Sequence, residues 1–240
     1  VHLRDRRRFV LFGGRRELDY EQKRKRAEMV TDAFEDLGTT YIKLAQFLTT
    51  RPDLVPPIYV RAMERLQDEV PPEDYDEIHA LLCDEIGDPK EVYDYFEEEA
   101  MSGASIAQVH RAGIDGDDVA VKIRRPGLES LVETDLRVIE FFVPIVLWFL
   151  VYMGQESHAE SAKNIVSELE RTIREEMDFG REAQIMTEIR ENIERDGLDD
   201  RVIVPRAYKE YSTERVLTMS YEEGIAVKHT DEIRDRGHDV

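Results

Sequence analysis

Four groups of residues in this chain have types and spacings suited to chemistry. Val119-Ala120-Val121-Lys122 is a short apolar run that ends in a cation. In a strand, side chains alternate, so Ala120 and Lys122 share one face. A small residue beside a long ammonium leaves room for a phosphate-bearing ligand, although an apolar strand ending in a solvated lysine has the same sequence. Upstream, Met101–His110 places Ser102, Gly103, Ala104 and Ser105 between two strand-like runs. Backbone N–H groups of such a loop can cradle phosphate, and a plain hairpin turn uses the same small residues. Glu176, Asp178 and Glu182 stand in the acidic segment Glu175–Ala183. Asp178 and Glu182 are four apart and would share a helix face, with Glu182 the candidate partner for Lys122. Glu-rich surface helices are, however, ordinary in an acidic chain. Lys43 and Gln46, in Tyr41-Ile42-Lys43-Leu44-Ala45-Gln46, have no chemistry unaided and read first as a solvated helix face.

The elements that position these groups follow from periodicity and turn residues. Helical patterns cover Glu17–Leu37 up to Gly38, then Tyr41–Thr50 ahead of Pro52, then Pro57 to Gln67, then Glu73–Ile86 ahead of Gly87-Asp88-Pro89. Phe96–Ala100, Ile106–Ala112 and Val119–Ile123 read as strands, separated by Ser102-Gly103 and Asp115-Gly116-Asp117. Two long helices are expected over Leu128–Met153 and Ala159–Asn192, with Glu176, Asp178 and Glu182 inside the second. Val202–Val204 and Arg215–Ser220 read as two more strands. The fold class is therefore α+β: helices, three strands, a helical insert and two strands. A protein-kinase N-lobe has this order of three strands, a helix and two strands.

Composition narrows the partners. The chain has 240 residues, 53 Asp+Glu against 33 Lys+Arg and a formal charge of -20, which repels nucleic acid and anionic membrane. Its cations comprise 8 Lys and 25 Arg. An acidic, lysine-poor composition suits a protein of concentrated salt, where self-repulsion is screened, so a halophilic host is expected. The single Cys83 forms no internal disulfide, no Cys/His cluster has metal-ligand spacing, and the arginine-rich first ten residues do not resemble a signal peptide. A cytoplasmic protein is expected. The apolar stretch Phe141–Met153, with Pro144 inside it, has 13 residues, short of the ~20 that a membrane span needs. Packing in the core is its expected role, and peripheral membrane contact is the alternative.

Taken together, the four segments resemble the UbiB family of aarF-type atypical kinase-like proteins. Lys43-Leu44-Ala45-Gln46 is similar to the family's Lys-x-Gly-Gln motif, with Ala45 in the glycine's place. SGASIAQVHRA is similar to its alanine-rich loop, and Val119–Lys122 to its Val-Ala-x-Lys strand. Glu176-Met177-Asp178 matches its Glu-x-Asp motif, and VLTMSYEEG resembles its hinge. The likeness runs from Glu17 to Val227.

The resemblance implies an ATP site. Lys122 would bind the α- and β-phosphates and Glu182 would hold it, while Ser102–Ser105 would line the phosphates beside Ala120. Met219 would be the gatekeeper, and the backbone of Ser220, Tyr221 and Glu222 would meet adenine. Lys43 and Gln46 would face Glu176 and Asp178 from a helix folded over the site, where the methyl of Ala45 would tighten the cover. Such a cover favours ATPase chemistry or phosphorylation of a small molecule or lipid, in quinone or isoprenoid-lipid metabolism. A non-catalytic nucleotide- or lipid-binding module is the other reading, and the partners would be ATP or ADP and quinone-pathway proteins. The implied organisation is a helical extension over 1–92, a kinase-like N-lobe over 93–227 and a linker from 228. The catalytic loop and the magnesium ligands are expected in a C-lobe absent from this sequence, since Asp178-Phe179-Gly180 precedes the hinge.

Overall fold

The computed structural model describes residues 19–50, 55–66, 71–152, 156–225, 227 and 230–237. The chain divides into two compact units, each continuous in space but not in sequence. One takes the described residues up to Pro71 with Ala104–Ile106 and Gly127–Glu176; the other takes Pro72–Gly103, Ala107–Pro126 and the described residues from Met177 on.

The first unit is helical. Asp19 starts α1 (Tyr20–Leu37) by accepting the Gln22 N–H at 2.8 Å. Gly38, at φ 90°, ends α1 and opens α2 (Thr39–Thr49), a reversal that a side chain would strain. Pro57 begins α3 (Pro57–Met63), where its missing N–H costs nothing. Ala45 from α2, Met63 and Leu66 form a buried cluster with Val30, Phe34, Ile42 and Tyr59 against it. Later in the sequence come α6 (Leu128–Tyr152) and α7 (Glu156–Met177), of which α7 reaches this unit's end at Glu176. Thr40, fully buried, ties α2 to α6 by donating to Asp135 at 2.6 Å.

In the second unit, α4 (Tyr75–Glu85) and the single turn α5 (Pro89–Val92) precede a five-stranded antiparallel sheet. Its strands are β1 (Tyr95–Phe96), β2 (Ser102–Gly103), β3 (Ala107–Ile114), β4 (Asp117–Arg124) and β5 (Val216–Ser220). The path is β1-β3-β4-β5, with β2 pairing β3. Paired residues of antiparallel strands share a face, so the register sorts the sheet into two sides. Val119, Val121, Ile123, Ala112, Ile114 and Val216 form the core with Ile78, Leu81 and Leu82 of α4. The opposite side carries Ala120 and Lys122 with their partners Met219 and Leu217. The helix α8 (Phe179–Arg195) lies against β5.

Four expectations need correction. The second long helix is two helices: Asp178 has extended backbone (φ -96°, ψ 91°) and accepts the Arg181 N–H at 2.9 Å, so its carboxylate caps α8 instead of sharing a helix face with Glu182. Val202–Val204 form no strand; Val202 is 45% and Ile203 72% exposed, and the adjoining backbone pairs with β5 only by the bridge Ala207–Met219. The expected strand Phe96–Ala100 is replaced by two two-residue strands, one ending at Phe96 and the other beginning at Ser102. Core packing is also not seen at the described side chains of the apolar stretch. Among the described side chains of α6, Leu128, Val132 and Leu136 in its first turns are buried, whereas Phe141, Phe142, Ile145 and Trp148 are 52–68% exposed. The expected end at Met153 lies outside the described residues.

Candidate functional site

Lys122 projects from the penultimate position but one of β4. Its ammonium donates to both oxygens of Glu182, at 2.9 and 2.7 Å, and lies 4.5 Å from the centroid of the Phe179 ring. Glu182 stands in the first turn of α8, where the helix N-terminus favours a carboxylate. The local fold fixes that turn in three ways. Asp178 caps it, the Phe179 N–H donates to Glu214 O at 3.1 Å, and Arg124 Nη1 donates to Met177 O at 3.0 Å. Phe179 is fully buried, so the Asp-Phe-Gly triplet is a helix start with its aromatic ring under the lysine. The side chains of Lys122 and Glu182 keep 22% and 37% of their surface, leaving the ammonium within reach of a ligand.

The sheet register sets the rest of that face. Ala120 is nearly buried and is paired with Met219 on β5 and Arg111 on β3. Past Met219, two of the three expected hinge amides are committed. The Ser220 N–H donates to Arg206 O at 2.9 Å and the Tyr221 N–H to Asp118 O at 3.0 Å. These two N–H groups close the sheet edge, and Glu222 is the first residue beyond them. Ser220 Oγ donates to Glu222 Oε1 at 2.8 Å. The Arg111 guanidinium stacks on the Tyr221 ring at 4.8 Å and pairs with Asp118, which also takes the Tyr95 hydroxyl.

The phosphate-loop residues divide. Ser102 and Gly103 pair with Val109 and Gln108 as β2, and the glycine has no left-handed backbone to exploit, so its freedom is not what shapes the loop. Ala104 and Ser105 belong to the first unit, where Ser105 is fully buried and its carbonyl accepts from Thr39 Oγ1 at 3.3 Å.

In the first unit, Lys43 Nζ lies 3.1 Å from Glu176 Oε2, a contact of opposite charges without hydrogen-bond geometry. Gln46 Nε2 donates to Leu66 O at 3.4 Å. Ala45 is fully buried in a cluster with Met63 and Leu66, so its methyl serves the helical core. Among the described residues, no three His, Cys, Asp or Glu side chains converge as a metal site, and no helix is long and apolar enough to cross a membrane.

Comparison with known proteins agrees with this geometry. The model of the ABC1 atypical kinase-like domain matches residues 65–240. The chain belongs to that family. An aarF domain-containing protein kinase of Arabidopsis thaliana, named as chloroplastic, is 37% identical over 84% of this chain and 37% of its own length. An uncharacterized protein of Mycobacterium tuberculosis is 35% identical over 96% of the chain and 46% of its own length. One from Synechocystis is 33% identical over 94% and 38%. The chain thus spans less than half the length of these relatives.

For this ABC1-type chain, sequence reasoning missed the aromatic support of Lys122 by Phe179 and the cluster of Arg111, Asp118, Tyr95 and Tyr221. It also missed two buried polar residues of β3, Gln108 and His110. These last had a visible signal, since both stand at positions whose alternation points into an apolar core.

Proposed function

We propose that this chain is the ATP-binding part of an atypical kinase, with the nucleotide's phosphates at Lys122 and its base over the sheet face at Ala120, beside Met219. The observation that carries the reading is the bidentate Lys122–Glu182 pair on the sheet face shared with Ala120 and Met219. A strand lysine held by a helix glutamate is the arrangement that active kinases use to orient ATP phosphates. The Glu222 N–H would meet the adenine edge. Ser102–Ser105 would border the phosphates and, as the family resemblance implies, the helix with Lys43 and Gln46 would cover them. Magnesium would enter with the nucleotide as Mg-ATP. The reaction class is ATP hydrolysis or phosphoryl transfer to a small molecule or lipid of quinone or isoprenoid metabolism.

Calorimetric titration of Mg-ATP into the protein tests this. Lys122→Ala should weaken binding by roughly tenfold or more, because a charge-assisted contact contributes about 1.5–3 kcal/mol. Equal affinity in the two proteins removes Lys122 from the site.

A second reading, peripheral membrane contact through α6, is favoured by the exposure of Phe141, Phe142, Ile145 and Trp148. Aromatic side chains of this kind suit a lipid–water boundary. Neutral phosphatidylcholine vesicles should blue-shift the emission of Trp148 and carry the protein down on sedimentation. An unshifted spectrum with no co-sedimentation, at low and at high salt, rejects it.

A further inference from the structure

Strand β3 carries two polar side chains on the side of the sheet that forms the core. Gln108 is 1% exposed and His110 0%. They alternate with Val109, the partner of Lys122, and so lie behind the ligand-facing side. Their hydrogen bonds form a single chain. The Glu73 N–H donates to Gln108 Oε1 at 2.7 Å, Gln108 Nε2 lies 2.9 Å from His110 Nε2, and His110 Nδ1 lies 2.8 Å from Glu97 O.

Both ends of that chain dictate its polarity. A carbonyl only accepts, so the Glu97 oxygen requires the proton on Nδ1. A backbone N–H only donates, so Glu73 requires the Gln108 oxygen on its side and leaves the amide nitrogen to donate to Nε2. The network closes only with neutral His110. Its surroundings agree: Phe96 of β1 stacks on the ring at 5.1 Å, Tyr75 of α4 lies 6.4 Å away, and Val121 of β4 is the cross-strand neighbour. Burial pushes the imidazole below its ordinary range, against the smaller opposing effect of the Glu97 carbonyl. Beyond Gln108, Glu73 is paired with Arg125.

The same two residues govern the segment that leads into the phosphate loop. His110 holds Glu97 at the exit of β1, and the backbone of Gln108 pairs with Gly103 in β2. Between them the Met101 N–H donates to Val109 O at 2.8 Å. A two-residue strand has too few bonds of its own to hold register.

We propose that Gln108 and His110 are positioning residues of the phosphate loop, fixing the backbone of Glu97–Gly103 from the core side so that Ser102 and Gly103 are set for the nucleotide. This rests on the nucleotide-binding reading above. A protonated His110 points an N–H at the Gln108 amide nitrogen. Turning the amide over only moves the donor-to-donor contact to the Glu73 N–H. Acid therefore loosens β2 without touching any ligand-facing side chain.

The test is the affinity for Mg-ATP between pH 5 and 8 in wild type, Gln108→Glu and Lys122→Ala. Wild-type affinity should fall roughly fivefold or more once pH drops through the lowered His110 range, beneath the usual histidine value of ~6.5, the loss expected for one broken buried hydrogen bond. Gln108→Glu supplies an oxygen to the Glu73 N–H and another to a protonated Nε2, so it should hold its affinity in acid and lose it at neutral pH. The nucleotide's own protonation is common to both proteins and cancels in the comparison. Superimposable pH profiles overturn the inference while leaving the site intact, provided Lys122→Ala still weakens binding. A wild type that does not bind Mg-ATP removes the underlying reading and this inference with it. Should Gln108→Glu fail to fold, wild-type hydrogen exchange decides. Protection of the Met101 amide, corrected for intrinsic rates, should drop over the same pH range, and constant protection refutes the role.

Discussion

Replacing Ala45 by glycine, the residue usual at this place in the Lys-x-Gly-Gln motif, should destabilise the protein by about 2 kcal/mol. Ala45 is fully buried in α2, between Met63 and Leu66. A glycine within a helix costs about 1 kcal/mol relative to alanine through backbone entropy. Removing one buried methyl costs a further ~0.8 kcal/mol in lost burial. The small volume lets neighbours relax, so no large cavity penalty is added. With a urea dependence of ~2–3 kcal/mol per molar, the unfolding midpoint should fall by roughly 0.7–1 M, read by far-ultraviolet circular dichroism. Affinity for Mg-ATP should change little, since the methyl faces the helical core. An unchanged midpoint together with tighter nucleotide binding would place the methyl against the ligand and refute the packing argument.

Two further outcomes follow from the second unit. The Tyr93 hydroxyl lies 2.8 Å from Thr218 Oγ1, which itself donates to Tyr211 O at 2.8 Å, so Tyr93 is the donor. Tyr93→Phe should cost about 1 kcal/mol at neutral pH in urea unfolding. Burial pushes the Tyr93 phenol up to about 12, so its neutral form is favoured by folding; its contribution is complete below the ordinary value of ~10 and lost as pH rises towards 12. Wild type should therefore lose stability between those values more steeply than Tyr93→Phe, and parallel alkaline limbs would contradict the assignment. At Gly113, an added Cβ would overlap the Tyr95 ring. Gly113→Ala should destabilise by roughly 1–3 kcal/mol through overpacking, and Gly113→Ala/Tyr95→Ala should cost less than the sum of the two single changes; strict additivity would show that the ring is not the obstacle.

The parts legible in the sequence are those fixed by local chemistry. Gly38 marked a helix boundary because the chain reverses there at φ 90°. Asp115-Gly116 marked the β3–β4 turn, where both residues take positive φ. Lys122 and Glu182 were paired across 60 residues of sequence because each carries a motif, and the structure brings them to 2.7 Å. What escaped depends on partners that no local window contains. Val202–Val204 has strand composition, but a strand exists only where another backbone completes its hydrogen bonds. The helix break at Asp178 is a competition between continuing a helix and capping the next one, which the Arg181 N–H settles. The distal half of α6 is as apolar as a core helix, yet Phe141 and Trp148 are each 68% exposed, because burial depends on what else packs there. His110 stands at a core-facing position of β3, but its role emerges only with Gln108, Glu73 and Glu97 around it.

The central claim is that Lys122 faces the phosphates of ATP. An acyl-phosphate derivative of ATP transfers its acyl group to an amine lying beside the bound phosphates, and mass spectrometry locates the modified lysine. The account predicts modification of Lys122, suppressed by excess Mg-ATP and enhanced relative to the exposed Lys90, whose ammonium pairs with Glu98. Labelling that spares Lys122, or that excess Mg-ATP does not suppress, would contradict it.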